Sequence, residues 1–194
     1  MSTAGEQTRA RLLAAAESIL VRHGMTALSV RKVGEVAGLN PTLVTYHFGS
    51  IGRLLEELCQ SNLDILQSGW DGLEEQDNLD DILRTWLEPM FLPAAFTSEG
   101  RALLVLDEIG AHGEGALRQI VLDTTLALAH RLVALVKPYC PHLEEVEVIA
   151  RLRLIAGAVL GPPPRNRGEP LMQDGTSLVD MRFVLPFARA ALGC

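Results

Sequence analysis

Three groups of side chains in this sequence have types and spacings that can do chemistry. Asp107, Glu108, His112 and Glu114 lie within two helical turns, and a carboxylate followed four positions later by histidine, as in Glu108 and His112, can share a metal ion. HExxH is absent, as are a GxSxG elbow and a phosphate-cradling glycine loop, so a charged helix end accounts for the pair without a metal. The cysteines Cys59, Cys140 and Cys194 are odd in number, far apart and without CxxC spacing. That pattern predicts reduced thiols, with Cys194 at a frayed end, and neither a disulfide framework nor a zinc site. The third group runs from Ser29 to His47. Arg31 can bond guanine O6 and N7 bidentately, which discriminates bases by about 1–3 kcal/mol, and a threonine methyl from Thr42 or Thr45 can touch a thymine methyl. Ser29, Tyr46 and His47 can donate to phosphates, contacts that fix register and carry no sequence information. No metal and no cofactor is expected, and no catalytic residue.

These groups need short, exposed helices to carry them, and the surrounding residues supply the punctuation. Ser29 can cap a helix burying Val30, Val33, Val36 and Ala37, which Gly38 ends; Leu39 turns inward, Asn40 caps the next helix and Pro41 sits in its first turn, where a missing N–H is harmless. Two short helices around a glycine turn form a helix-turn-helix, with the second spanning roughly 41–47. A first helix over about 6–23, ended by Gly24, precedes them, and Gly49-Ser50 breaks and recaps the chain for a fourth helix carrying Leu54, Leu55, Leu58, Leu63 and Leu66. Apolar residues at three- and four-residue spacing predict further helices near 79–96, 100–110, 115–137, 143–160 and 176–191, so the fold class is all-α. The segment GPPPRNRGEP over 161–170 must interrupt a helix and run as an extended connector.

Composition sets the outer limits. The chain has 194 residues, 48% hydrophobic and 21% charged, enough for one large or two small domains. No uninterrupted apolar run approaches the roughly 20 residues that cross a bilayer, and MSTAGEQTRARLL lacks the apolar middle of a secretory signal, so a cytoplasmic protein without a membrane partner is expected. A net charge of −7 opposes phosphate binding on average. Its distribution reverses that reading locally: residues 1–60 hold six cations against five anions, whereas the other 134 hold 11 against 19.

The string TALSVRKVGEVAGLNPTLVTYHFGSIGRLLEE over 26–57 resembles the DNA-binding domain of the TetR family. The features that carry the resemblance are the Ser29 cap, Val30-Arg31, Ala37-Gly38-Leu39 at the turn, Tyr46-His47-Phe48 at the helix end, Gly49-Ser50 and Leu54-Leu55. With the first helix included, it covers about 8–57. It implies base contacts from Arg31, Pro41, Thr42 and Leu43, and phosphate contacts from Ser29, Thr45, Tyr46 and His47. Two positions depart from the pattern. Ile51-Gly52 stands where the family usually has a lysine that meets a phosphate, and Thr45 stands where many members carry tyrosine. Arg53, a cation at a helix N-terminus that the macrodipole disfavours, is expected to be compensated by a phosphate instead.

The implied organisation is a three-helix DNA-binding domain over 1–50 and a helical effector-binding and dimerisation domain over 51–194. A palindromic operator needs two reading heads, so a homodimer is expected. The candidate surfaces are the last two long helices, about 143–160 with Val148, Ile149, Leu152, Ile155, Ala156 and Val159, and about 176–191 with Leu178, Val179, Phe183, Phe187 and Ala191. An effector pocket for an unidentified small molecule is assigned to Trp86, Met90, Phe91, Phe96, His112 and Thr124, although no spacing singles these out from core packing. Together these make a ligand-responsive regulator, a repressor released from duplex operator DNA. Two readings compete with it: a helical interaction protein that has lost DNA binding, and a metal-dependent enzyme built on Glu108 and His112.

Overall fold

A computed structural model describes residues 4–91, 98–160, 172–173, 176–177 and 180–194. Among these the helical periodicity resolves into nine α-helices: α1 (Ala4–His23), α2 (Val30–Ala37), α3 (Thr42–Phe48), α4 (Ile51–Gly69), α5 (Leu79–Phe91), α6 (Ser98–His112), α7 (Gly115–Val136), α8 (Glu145–Leu160) and α9 (Met181–Leu192). The all-α expectation holds, with one small addition: Met172–Gln173 and Thr176–Ser177 pair as a two-residue antiparallel ladder. The helix expected over 176–191 therefore begins later. Asp180 starts it, its carboxylate accepting from the Arg182 amide at 2.8 Å, and that same arginine holds the Asp180 carboxyl below the usual carboxylate range. The connector 161–170, Phe96, Leu178 and Val179 lie outside the described residues.

The chain divides into two compact units. One comprises residues 1–64 with 104–122, and the other 65–103 with 123–194. In the first unit α2 and α3, of eight and seven residues, are too short to be stable alone. Burial holds them: Val33 and Val44 are fully enclosed and Phe48 nearly so, alongside Leu12, Ala16 and Leu20 of α1 and Leu54 and Leu58 of α4. At about 1.5–3 kcal/mol per buried side chain, packing outweighs anything helix propensity contributes here. One expectation fails. Val36 faces solvent, because Gly34, not Val36, occupies the inner side of α2.

In the second unit α5, α8 and α9 pack on one another. Val148, Leu152, Ile155 and Val159 of α8 are buried within the unit, as are Leu185, Ala188 and Leu192 of α9. The stripe expected to meet a partner chain along α8 is thus the helix's internal face, since four apolar residues at one helical register are claimed first by the chain's own core. Helix α7 with its following turn is long and apolar enough by composition to cross a bilayer, which was not anticipated, though Arg118, Asp123 and Arg131 interrupt it. Helices of water-soluble bundles share that property.

Candidate nucleic-acid interface

The geometry of α2 and α3 follows from a few local bonds. Ser29 has extended backbone, and its hydroxyl oxygen accepts from the Lys32 amide at 3.2 Å, the expected N-cap. Gly38 ends α2 in the left-handed region at φ +63°, and the Leu39 amide returns to the Gly34 carbonyl at 2.9 Å. Asn40 then accepts from the Thr42 amide at 3.0 Å and from the Thr42 hydroxyl at 2.8 Å. Pro41 already has helical backbone.

Three residues that sequence reasoning passed over set the angle between these helices. Gly34 is the first: a Cβ there would sit 2.8 Å from the Pro41 Cα and Cγ, so only glycine lets α3 start this close to α2. Arg11 of α1 is the second, donating to the Ala37 carbonyl at 2.7 Å and so satisfying an orphan acceptor at the end of α2. Arg9 is the third. It pairs with Glu57 of α4, donates to the His47 carbonyl at 2.7 Å at the end of α3, and lies over the Phe48 ring at 4.3 Å. Two of the six cations in residues 1–60 are therefore spent internally. No local pattern marks Arg9 or Arg11 for that role, because their partners lie 26 to 48 residues away. Gly34 did carry a signal, a small residue on the inner face of a short helix.

What remains outside is a coherent polar surface. Arg31 is exposed and makes no hydrogen bond or ion pair with the described residues. Thr42 and Thr45 are exposed, Pro41 and Leu43 partly so, while Val44 and Phe48 between them face inward. Thr42 has committed its hydroxyl proton to Asn40, which leaves its methyl and an acceptor oxygen. Tyr46 is 81% exposed, an unusual place for a large aromatic, and its ring meets that of His47 edge-on with centroids 5.0 Å apart. Ser50 caps α4, accepting from the Arg53 amide at 3.1 Å, and the exposed Arg53 side chain reaches only Glu56, at 3.6 Å. Ser29, Arg31, Pro41, Thr42, Leu43, Thr45, Tyr46, His47 and Arg53 thus all belong to one unit.

Residues 12–58 match the family model described as bacterial regulatory proteins, tetR family. These residues, about a quarter of the chain, are similar to the DNA-binding segment of that family. Solved structures similar to the whole chain have the same fold. A TetR family transcriptional regulator, PfmR, from Thermus thermophilus covers 99% of this chain and 97% of its own at 16% identity, with a TM-score of 0.65. The ketosteroid transcriptional regulator KstR2 of Mycobacterium tuberculosis covers 95% and 93% at 16% identity and 0.64. The multidrug binding protein EbrR, complexed with malachite green, covers 94% and 96% at 18% identity and 0.58. No curated protein matches the chain in sequence.

The other sequence-assigned residues fall in both units. In the first unit, Glu108 of α6 accepts from the Met25 amide at 3.0 Å and lies 3.4 Å from His112 Nδ1, so the carboxylate that suggested a metal serves the turn after α1. Among the described residues no three histidine, cysteine or acidic side chains converge as a metal site. His112 is exposed in the first unit. Trp86 and Met90 are buried in the second unit, Thr124 is half-buried there, and Trp70 donates its indole N–H to the Trp86 carbonyl at 3.1 Å. Phe91 ends α5 with a side chain outside the description, as does Phe96 entirely. Of the residues assigned to the effector pocket, Trp86, Met90 and Thr124 therefore share the second unit.

Proposed function

We propose that this chain is a ligand-responsive transcriptional regulator that binds a palindromic operator as a homodimer and is released from it by a small-molecule effector. The observation that carries the reading is the division of labour in α2 and α3. Their inner residues are fully packed, while Arg31, Thr42, Thr45 and Tyr46 stay exposed with groups suited to a major groove about 12 Å wide. Arg31 and the Pro41–Leu43 start of α3 read bases. Ser29, whose hydroxyl proton is uncommitted, Thr45, Tyr46 and His47 hold phosphates, and Arg53 adds a phosphate at the α4 N-terminus in place of the missing lysine.

A second apolar surface supports dimerisation. Val146 is 74% and Leu154 71% exposed on α8, in register with Ala150 and Gly157, and Phe183 and Phe187 of α9 are 54% and 50% exposed. Joined across a two-fold axis, such pairs form a four-helix interface and set the recognition helices about 34–36 Å apart, or a multiple of it. Functionally, residues 1–50 are the reading head, and 51–194 bind effector and partner. The effector seats in the second unit around Trp86, Met90 and Thr124. Similar folds named for a ketosteroid or crystallised with malachite green support a bulky ligand built of several rings. Release requires that the effector favour the spacing of heads that does not fit the operator. Such a protein works in the cytoplasm, where the DNA is.

Selection of bound duplexes from a random pool tests this directly. A recovered palindrome whose retention falls steeply with added salt is expected, because phosphate contacts release counterions. Retention of no sequence in preference to random DNA at modest ionic strength would leave the helical interaction protein as the better reading.

A further inference from the structure

Cys140 and Cys194, distant in sequence, meet in the second unit. Cys140 closes the Lys137–Tyr139 turn after α7: its amide donates to the Lys137 carbonyl at 3.2 Å, and its fully buried thiol donates to the Val136 carbonyl at 3.4 Å. Cys194 follows Gly193, the left-handed cap of α9 at φ +74°. The expected fraying is not seen. The Cys194 amide donates to the Arg189 carbonyl at 3.0 Å, and Arg151 of α8 donates to the Ala191 carbonyl at 2.7 Å, so the last turn is held from two sides. From that position the exposed Cys194 thiol donates to the Tyr139 carbonyl at 3.1 Å, one residue from Cys140, and Cys194 is near enough to push the Cys140 thiol up.

We infer that Cys140 and Cys194 are a thiol switch: they close to a reversible disulfide by exchange with a low-molecular-weight disulfide and reopen with a low-molecular-weight thiol. Closure pins the end of α9 to the turn between α7 and α8. The exposed Cys194 thiolate attacks one sulfur of the small disulfide; that S–S bond breaks, a mixed disulfide forms and one small thiolate leaves. The Cys140 sulfur then attacks the Cys194 sulfur and expels the second thiolate, and the protons of both cysteines end on the two released thiols. Two protein thiols are oxidised and one small disulfide is reduced.

The environments assign the order of attack. Burial foremost, and then Cys194 itself, push the Cys140 thiol up, against the opposing pull of Lys137 and Arg151, so Cys140 is the poorer first nucleophile, and its place beside the Cys194 thiol is what makes it the second. Cys59, buried in α4 with its thiol pushed up to about 11 by burial, is the internal control. In a reducing compartment such a pair is open at rest and reports oxidation, the usual role of disulfides there. The inference stands apart from the DNA-binding reading.

The test equilibrates the full chain in buffers of rising ratio of oxidised to reduced glutathione, traps free thiols by alkylation and maps the peptides by mass. A single species is expected to accumulate, with Cys140 linked to Cys194, Cys59 alkylated, and full reversal by dithiothreitol. Cys194→Ser, at an exposed position, abolishes the species. Cys140→Ser leaves one glutathione trapped on Cys194. Glutathione accumulating on Cys194 of the unaltered chain with Cys140 still alkylated would overturn the switch, as would chains cross-linked through Cys194 or thiols that stay free at every ratio.

Discussion

The reading head and the α8–α9 face both expose side chains that a folded chain would ordinarily spend on itself, but they expose opposite chemistries. On α2 and α3 the exposed groups are a guanidinium, hydroxyls and a phenol, set over a packed apolar interior. On α8 and α9 they are Val146, Leu154, Phe183 and Phe187, set over another such interior. Hydrogen-bonding groups left exposed on a rigid frame are suited to a charged, hydrated partner. Large apolar ones left exposed are suited to a partner that excludes water. The interiors look alike, so the partner is legible only from what the interior leaves over.

The strongest way to break this contrast is to put charge on the apolar face. Leu154→Arg with Phe187→Arg places two cations on each copy of a surface that would face itself across a two-fold axis. The chain is expected to sediment as a monomer at micromolar concentration with its helicity intact, since both residues are exposed in the single chain. Affinity for a full palindrome should fall by roughly 100-fold or more as the gain from linking two heads is lost, while affinity for an isolated half-site holds. A variant that stays dimeric places the partner surface elsewhere.

Gly34→Ala attacks the other side of the comparison. Helix propensity alone would favour alanine by about 1 kcal/mol, but its Cβ would lie 2.8 Å from the Pro41 backbone, and overpacking costs about 1–3 kcal/mol. The net sign is a loss, measurable by chemical denaturation. Because the strain falls between α2 and α3, operator affinity should drop by about tenfold or more with sedimentation unchanged. A more stable variant with normal affinity would mean that α3 tolerates a new position.

These two sets of residues also show where sequence reading reaches its limit. The helix-turn-helix was legible because its constraints are local: Ser29, Gly38, Asn40 and Gly49 each act within a few residues of themselves, so type and spacing carry the information. Arg9 and Arg11 were only counted among the cations of residues 1–60, because what consumes them is brought near only by folding. On α8 the apolar stripe was identified and its destination was not. Val148, Leu152 and Ile155 satisfy the periodicity of a buried face, and periodicity does not distinguish a chain's own core from a partner's. The cysteines are free thiols as expected, but the nearness of Cys194 to Cys140 escaped for the reason Arg9's partners did: CxxC spacing tests proximity along the chain, while Cys194 reaches the Tyr139–Cys140 turn only through the cap of α9.

Within the reading head, substitutions separate base reading from phosphate holding. Arg31→Ala removes an exposed, unpaired guanidinium, so stability should not move. If it reads a guanine, affinity for the selected operator falls by about 5- to 150-fold, equivalent to about 1–3 kcal/mol, and preference at one base pair relaxes. A uniform loss over all sequences would make Arg31 a phosphate contact.

Arg53→Ala is the smallest and the most discriminating. In the free protein Arg53 sits in the first turn of α4, where the helix dipole disfavours a cation by about 0.3–1 kcal/mol, and Glu56 at 3.6 Å offsets part of this through an exposed pair worth little. Its removal should therefore leave the free protein equally or slightly more stable. On DNA the sign reverses: losing one phosphate contact weakens binding a few-fold at every sequence and lowers the salt slope by about 1. Opposite signs on stability and binding are what a cation held for an absent anion must give. If affinity and salt slope both stay put, Ile51-Gly52 marks a real gap in the phosphate grip, and the head holds its duplex through Ser29, Thr45, Tyr46 and His47 without help from α4.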